Sequence, residues 1–142
     1  MPTITVPATI DHLTTAKDYL ERSIPEAFKA QTSNVLLVAE ELLMNVFSYA
    51  YPSGSVGKAL VSLEVRRMDG EDKLVFTVQD WGNPFNPFEE VAEPDLTLDI
   101  DSRPVGGLGV FLIKQVSEKQ IYQYVDKTNL IEIVFGKTPI PA

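Results

Sequence analysis

The fold of this chain is decided by the stretch VLLVAEELLMNVFSYAY, residues 35–51. Apolar residues recur there every three or four positions, which predicts an amphipathic helix. At roughly 100° per residue, one side of that helix becomes a core face made of Val35, Ala39, Leu42, Leu43, Val46 and Ala50. Thr32 or Ser33 can cap its start, and the helix should run to about Tyr51, because Pro52-Ser53-Gly54 stops it.

Two polar residues stand at the border of this core face. Glu41 and Asn45 are four residues apart, so a helix places one above the other, whereas Glu40 projects to the opposite side. An amide oxygen can ligate a hard cation such as Mg²⁺, and a carboxylate can accept a proton from water or a hydroxyl group. The pair is therefore a candidate catalytic and metal site. The alternative is an ordinary solvated helix edge.

Further helix and strand patterns surround this helix. Residues 59–67 and 73–79 are rich in Val, Leu and Phe and flank Asp69-Gly70, which predicts a hairpin. We also predict an edge strand, an amphipathic helix, a late helix and a hairpin closing across Lys127-Thr128, at residues 4–8, 11–22, 107–118, and 121–126 with 129–135. This order predicts one α+β domain over residues 1–142, a two-layer sandwich with helices on one face of a mixed, mostly antiparallel sheet.

Composition excludes several classes of function. The 142 residues include 12 Lys or Arg and 20 Asp or Glu, so the net charge of -8 argues against a nucleic-acid partner. The lack of cysteine excludes disulfides and thiolate chemistry, and a single histidine, His12, excludes a multi-histidine zinc site. Neither a signal-peptide pattern nor an apolar run of membrane-spanning length is present, so we expect a cytoplasmic protein that does not contact membranes.

Two glycine-containing turns accompany the helix. Gly106-Gly107-Leu108-Gly109 leads into the predicted late helix, where free N–H groups bind anions and glycine lets a phosphate approach. Asp80-Trp81-Gly82-Asn83 follows a predicted strand, and a carboxylate at a strand end can accept a hydrogen bond from an exocyclic amine such as that of adenine. Gly82 would let a base lie against the backbone. Taken alone, each motif also fits a plain tight turn.

A long polar segment separates the two glycine motifs. Residues 86–105 are rich in proline and acidic residues, and a loop of this length in a compact domain is usually functional. We predict a mobile lid that orders over bound phosphates. Arg103 within it could meet a phosphate or a carboxylate of a partner, or form a salt bridge within the lid.

In this order the three motifs resemble those of the GHKL superfamily, the ATP-binding fold of DNA gyrase and histidine kinases. Glu41-Leu42-Leu43-Met44-Asn45 is similar to the superfamily's N-box, Asp80-Trp81-Gly82-Asn83 to its first glycine box, and Gly107-Leu108-Gly109 to its second. The resemblance covers about residues 35–135. It implies a Bergerat-type sandwich that binds ATP with Mg²⁺.

The resemblance also implies roles for single residues. Glu41 resembles the general base and Asn45 the Mg²⁺ ligand. Asp80 resembles the adenine-binding aspartate, and Gly82 resembles its packing glycine. Gly107, Leu108 and Gly109 resemble the phosphate-binding backbone.

Within the superfamily the likeness is closest to the small anti-sigma factor serine kinases, whose D-x-G-x-P-F is matched by Asp80, Gly82, Pro84 and Phe85. This implies a homodimer that phosphorylates a Ser or Thr of an anti-anti-sigma-type partner and also contacts a sigma factor. The alternative is a nucleotide-gated interaction switch with little turnover.

Two positions depart from the family pattern. Tyr49 stands where many members have histidine, and Lys127-Thr128-Asn129 stands near the place of a late Gly-Thr. The role of Thr128 as a nucleotide contact is therefore weakly supported, whereas an ATP-independent adaptor would leave Asn45, Asp80 and the glycines without a purpose.

Overall fold

The computed structural model describes residues 3–51, 57–90 and 107–141 of the chain. The described elements are, in chain order, β1 (Thr3–Pro7), α1 (Leu13–Ser23), α2 (Thr32–Asn45), β2 (Lys58–Met68), β3 (Glu71–Asp80), α3 (Pro87–Glu90), α4 (Gly107–Val116), β4 (Lys119–Val125) and β5 (Thr128–Phe135). Within these ranges no helix is long and apolar enough to cross a membrane.

The described strands form one sheet in the order β1-β2-β3-β5-β4, and each neighbouring pair is antiparallel. The predicted α+β sandwich is therefore confirmed, with antiparallel pairing in place of the mixed sheet that was expected. β3 lies at the centre, between β2 and β5. Its last residue, Asp80, pairs with Ala59 on one side and Asn129 on the other.

The helices pack on one face of this sheet, and α2 lies between α1 and α4. The predicted core face of α2 is confirmed, because Val35, Ala39, Leu42, Leu43 and Val46 are buried, and Ala50 packs against them. Removing a fully buried leucine such as Leu43 would cost about 2–5 kcal/mol. The opposite face of the sheet carries a charged cluster in which Arg66 bridges Glu64 and Glu132.

The start of α2 differs from the prediction that Thr32 or Ser33 caps it. Gln31 is the residue before the first helical turn, and no side chain caps that turn. The reason is a 3-10 segment, Glu26–Gln31, that leads directly into the helix. Thr32 is thus already helical, and its hydroxyl donates to the carbonyl oxygen of Lys29 at 2.8 Å.

The end of α2 also differs, because the helix was predicted to run unchanged to about Tyr51. Regular α-helical bonding ends at Asn45, and Val46–Ala50 forms a single π turn. Such turns widen the helix locally and occur often at functional sites. The chain beyond Asn45 is therefore displaced from the path of a straight helix.

The late helix is shorter than predicted. α4 ends at Val116, because the backbone N–H of Glu118 donates to the Val134 carbonyl of β5 and not to the helix. Of the lid predicted at residues 86–105, the structure describes only the first five residues, and residues 87–90 form α3. Residues 91–106, with Arg103 among them, lie outside the described residues.

The closing hairpin turns one residue earlier than predicted. Asp126 and Lys127, rather than Lys127 and Thr128, are the central residues, with φ of 51° and 61°. The first hairpin turns as predicted at Asp69 and Gly70, with φ of 51° and 81°. In both hairpins the two central residues are left-handed, which matches the twist of antiparallel strands and favours glycine in the second place. Only the first hairpin has glycine there.

We predict that Lys127→Gly stabilises the protein by roughly 0.5–1 kcal/mol, because the gain from relieving a left-handed side chain exceeds the entropy that glycine adds to the unfolded chain. Gly70→Lys should destabilise the protein, because lysine is strained at the positive φ of Gly70. No steric clash contributes, since no heavy atom lies within 4 Å of a Cβ built there. Denaturant unfolding of both variants measures this. Equal free energies of unfolding for the wild-type protein and both variants would contradict the assignment of strain to these turns.

Candidate functional site

One pocket brings together residues from the N-box stretch and from the first glycine box. Asn45 and Asp80 both line it, although 35 positions separate them in the chain. Its other lining residues are mostly apolar or aromatic: Leu42, Val46, Tyr49, Ala50, Asn83, Phe85, Pro87, Asn129 and Ile131. The space between these side chains totals ≈ 350 Å³, part of which is open to solvent.

The polar centre of this pocket is the carboxylate of Asp80, which is only 7% exposed. Its Oδ1 accepts hydrogen bonds from the backbone N–H of Gly82 and from the side-chain amide of Asn129, both at 2.9 Å. Among the described residues no donor reaches Oδ2 of Asp80. Since none of their fully buried side-chain oxygens lacks a partner, Oδ2 is not fully buried. Oδ2 can therefore accept a hydrogen bond from a ligand.

Gly82 is needed for a reason that the sequence did not indicate. We expected it to let a base lie against the backbone, but the closest neighbour is the π turn after α2. A Cβ built on Gly82 would lie 2.2 Å from the carbonyl oxygen of Ala50 and 2.8 Å from its carbonyl carbon. Backbone cannot yield as a flexible side chain can, so any other residue would separate the Asp80 turn from the end of α2.

The sequence motifs indicate Thr128, weakly, and give no sign of its neighbour Asn129. Thr128 is buried, but its hydroxyl donates to the carbonyl of Val125 at 2.7 Å and accepts from Gln79 at 2.9 Å. Asn129, its neighbour on the other face of β5, lines the pocket and contacts Asp80. Correct placement of the β4–β5 turn would have found it, because the register of β5 follows from that turn.

The start of α4 lies against Glu41. A Cβ built on Gly109 would lie 2.2 Å from Oε2 of Glu41, so glycine allows this close approach. Gly107 and Leu108 are the first residues of the helix. Backbone N–H groups in a first helical turn lack intrahelical partners and attract anions. The structure thus brings the second glycine box next to the N-box carboxylate.

Glu41 is half-buried, and this burial raises the pKa of its carboxyl above the ordinary value. Repulsion from the neighbouring Glu40 raises that pKa further. Glu40 itself points away from the start of α4 and forms a 3.6 Å ion pair with Lys17 on α1. Two adjacent glutamates therefore have different environments, and only Glu41 lies where an anion-binding helix start is available.

The oxygen donors at the edge of α2 fit a cation that arrives with a ligand. Asn45, one helical turn after the Glu41 carboxylate, offers an amide oxygen, a group that Mg²⁺ accepts. The described part of the chain holds no cluster of three Asp, Glu or His side chains that could enclose a metal alone. Mg²⁺ typically uses one or two protein oxygens together with substrate phosphates, so this donor set suits a metal–nucleotide complex.

A tyrosine fixes the outer end of the pocket. The hydroxyl of Tyr51 donates to the carbonyl of Lys58 at 2.5 Å and accepts from the backbone N–H of Trp81 at 2.9 Å. Trp81 is 40% exposed, and the Lys58 ammonium lies 4.4 Å from the centre of its ring. The chain after the π turn is thereby tied to the turn that follows Asp80. Tyr49, on the pocket rim, is exposed.

Comparison with known proteins agrees with this geometry. The model of one protein family, the histidine kinase-like ATPase domain, matches residues 6–135, which is nearly the whole chain. The chain belongs to this family and is an ATP-binding domain of the GHKL type. No curated protein matches it.

We predict that Gly82→Ala lowers ATP affinity at least about tenfold, because the new methyl group must push the Asp80 turn away from Ala50. Gly70→Ala is the matched control, since its positive φ also makes alanine unfavourable, but it lies at the other end of β3. Calorimetric titration with ATP should show weakened binding only for Gly82→Ala. Equal affinities in the two variants would contradict a role for this backbone contact in the site.

Proposed function

We propose that this chain is an ATP-dependent serine/threonine protein kinase of the anti-sigma factor type. It would transfer the γ-phosphate of Mg²⁺-ATP to a Ser or Thr of an anti-anti-sigma-type partner. We further propose that it forms a homodimer and binds a sigma factor. Membership of the family supports ATP binding, and the match of Asp80, Gly82, Pro84 and Phe85 to D-x-G-x-P-F supports the subtype.

The observation that carries the kinase proposal is the position of Glu41. Its carboxylate lies beside the start of α4, where phosphates would bind, and one turn before Asn45, which would hold the metal. A raised pKa makes this carboxylate a better proton acceptor than an exposed glutamate, because general bases work best when their pKa approaches the working pH. A module that only bound nucleotide would need no base at this place.

Asp80, the start of α4 and Glu41 each have a separate role in the proposed phosphoryl transfer. Asp80 and the apolar pocket hold adenine, and the N–H groups at the start of α4 receive phosphate oxygens. Glu41 accepts the proton of the attacking hydroxyl while that oxygen bonds to the γ-phosphorus and the bond to the β–γ bridging oxygen breaks, so ADP leaves. A bound Mg²⁺ would neutralise charge on the phosphate oxygens and lessen their repulsion from Glu41.

A nucleotide-gated interaction switch is the second candidate. Asn45, Asp80 and α4 would suffice for it, and the exposed Tyr49, where many relatives have histidine, is a departure near the nucleotide that favours it. The two candidates share ATP binding and differ in whether Glu41 moves a proton. Variants at position 41 therefore separate them.

We predict that Glu41→Gln binds ATP nearly normally but transfers phosphate roughly 10²–10⁴-fold more slowly, because the base is lost while size and hydrogen bonding remain. Glu40→Gln is the matched control at pH 8, since it is adjacent and loses an exposed ion pair while Glu41 keeps its carboxylate. Single-turnover transfer to a co-encoded partner protein measures both rates, and slow ATP hydrolysis is the substitute if no partner is at hand. A wild-type rate in Glu41→Gln would contradict the base assignment.

A pH profile checks the same base. Only the ionised carboxylate accepts a proton, so transfer should slow as the pH falls through the pKa of Glu41, and this decline should begin at a higher pH than for an ordinary glutamate. Glu40→Gln removes the repulsion that helps raise this pKa and should move the decline to lower pH while leaving the rate at pH 8 unchanged. Identical profiles would contradict the coupling of the two carboxyl groups.

A further inference from the structure

The side chain of Asn129 forms hydrogen bonds to several separate parts of the pocket, although no sequence motif indicated this residue. It is 3% exposed at the second position of β5. Its amide nitrogen lies 2.9 Å from Oδ1 of Asp80, 2.9 Å from the carbonyl of Asn83 and 3.4 Å from the carbonyl of Gly82. One buried side chain therefore contacts the aspartate and the turn that follows it.

The surroundings determine which way this amide faces. Its oxygen accepts from the backbone N–H of Phe85 at 3.0 Å and from the hydroxyl of Tyr122 at 2.5 Å. A flipped amide would turn its NH₂ group toward the N–H donor of Phe85 and its oxygen toward acceptors, among them Asp80. The donor side of Asn129 is thus held against Asp80 in the folded protein.

This orientation has a consequence for the ligand that the pocket accepts. Oδ1 of Asp80 already accepts two hydrogen bonds, one from Asn129 and one from the N–H of Gly82, which fixes the plane of the carboxylate. Oδ2 remains as an acceptor. A ligand edge that donates, such as the 6-amino group of adenine, is satisfied by Oδ2, whereas the carbonyl at the same place in guanine is not.

We propose that Asn129 is a positioning residue, and that its amide holds the Asp80 carboxylate in the orientation from which the pocket selects a 6-amino purine. The proposal rests on ATP binding at this pocket. Asn129 does not touch the ligand in this account; it acts through Asp80 and through the backbone of Asn83 and Phe85. Without the amide, the carboxylate can rotate and the turn loses three of its attachments to β5.

The test compares ATP with purine riboside triphosphate, which lacks only the 6-amino group. In the wild-type protein the ratio of the two dissociation constants should be about tenfold or more in favour of ATP. Asn129→Ala, where water can occupy the vacated space, should reduce this ratio at least about threefold. Loss of fold or stability alone would weaken both nucleotides alike and leave the ratio unchanged.

The matched control is Thr128→Val, the adjacent buried residue, whose hydroxyl bonds Val125 and Gln79 away from the pocket. It should keep the wild-type ratio. If Asn129→Ala does not fold, Tyr122→Phe takes its place; it removes one of the two donors that orient the amide and should lower the ratio about twofold.

A wild-type ratio in folded Asn129→Ala, or in Tyr122→Phe when Asn129→Ala is unfolded, would overturn the proposal. Equal wild-type binding of the two nucleotides would overturn it too and leave ATP binding standing. Failure of the wild-type protein to bind either nucleotide would instead overturn the proposed function and this inference with it.

Discussion

Burial of the Asp80 carboxylate at the end of the central strand is the constraint on which the rest of the pocket depends. A charged group taken from water is costly unless nearby donors satisfy it. Here the donors are the N–H of Gly82 and the amide of Asn129, which belong to two different parts of the chain. Both donors reach Oδ1 of Asp80 only if three features are correct. These are the register of β5, the contact of Gly82 with the end of α2, and the shape of the turn after Asp80.

Glu41 shows a second constraint of the opposite kind, because its burial is not fully compensated. Desolvation and repulsion from Glu40 raise the pKa of its carboxyl, so the folded protein holds this charge less favourably than the unfolded chain does. This loss of stability is present at neutral pH and disappears as the pH falls below the ordinary pKa of glutamate. Such local strain is common where a group is held for a reaction rather than for the fold.

The sequence predicted most of the architecture because its patterns were strong and local. The 3.6-residue period of residues 35–46 and the Asp69-Gly70 turn each depend on a few neighbouring residues, and the structure has both as expected. The order of three short motifs also identified the superfamily, which the family match supports. The motifs predict Asn45, Asp80, Glu41 and Gly109 as site residues, and the structure places Asn45 and Asp80 at one pocket and Gly109 against Glu41.

The rest depended on contacts that no local pattern contains. Lys127 in a left-handed conformation carries no glycine signal, so the turn was placed one residue late and Asn129 was overlooked. The π turn after Asn45 ends at Ala50, whose backbone packs against Gly82 from a distant segment. The start of α2 was misassigned because a preceding 3-10 segment, rather than a capping side chain, leads into it.

We propose above all that ATP occupies the pocket between Asn45 and Asp80, with its phosphates at the start of α4. Titration of ¹⁵N-labelled protein with Mg²⁺-ATP, followed by backbone amide chemical shifts, tests it most directly. We expect saturable shifts concentrated at Gly82, Asn129 and Gly109, with little change at Arg66 on the opposite face of the sheet. Saturable shifts confined to that opposite face, or no saturable shifts at all, would contradict it.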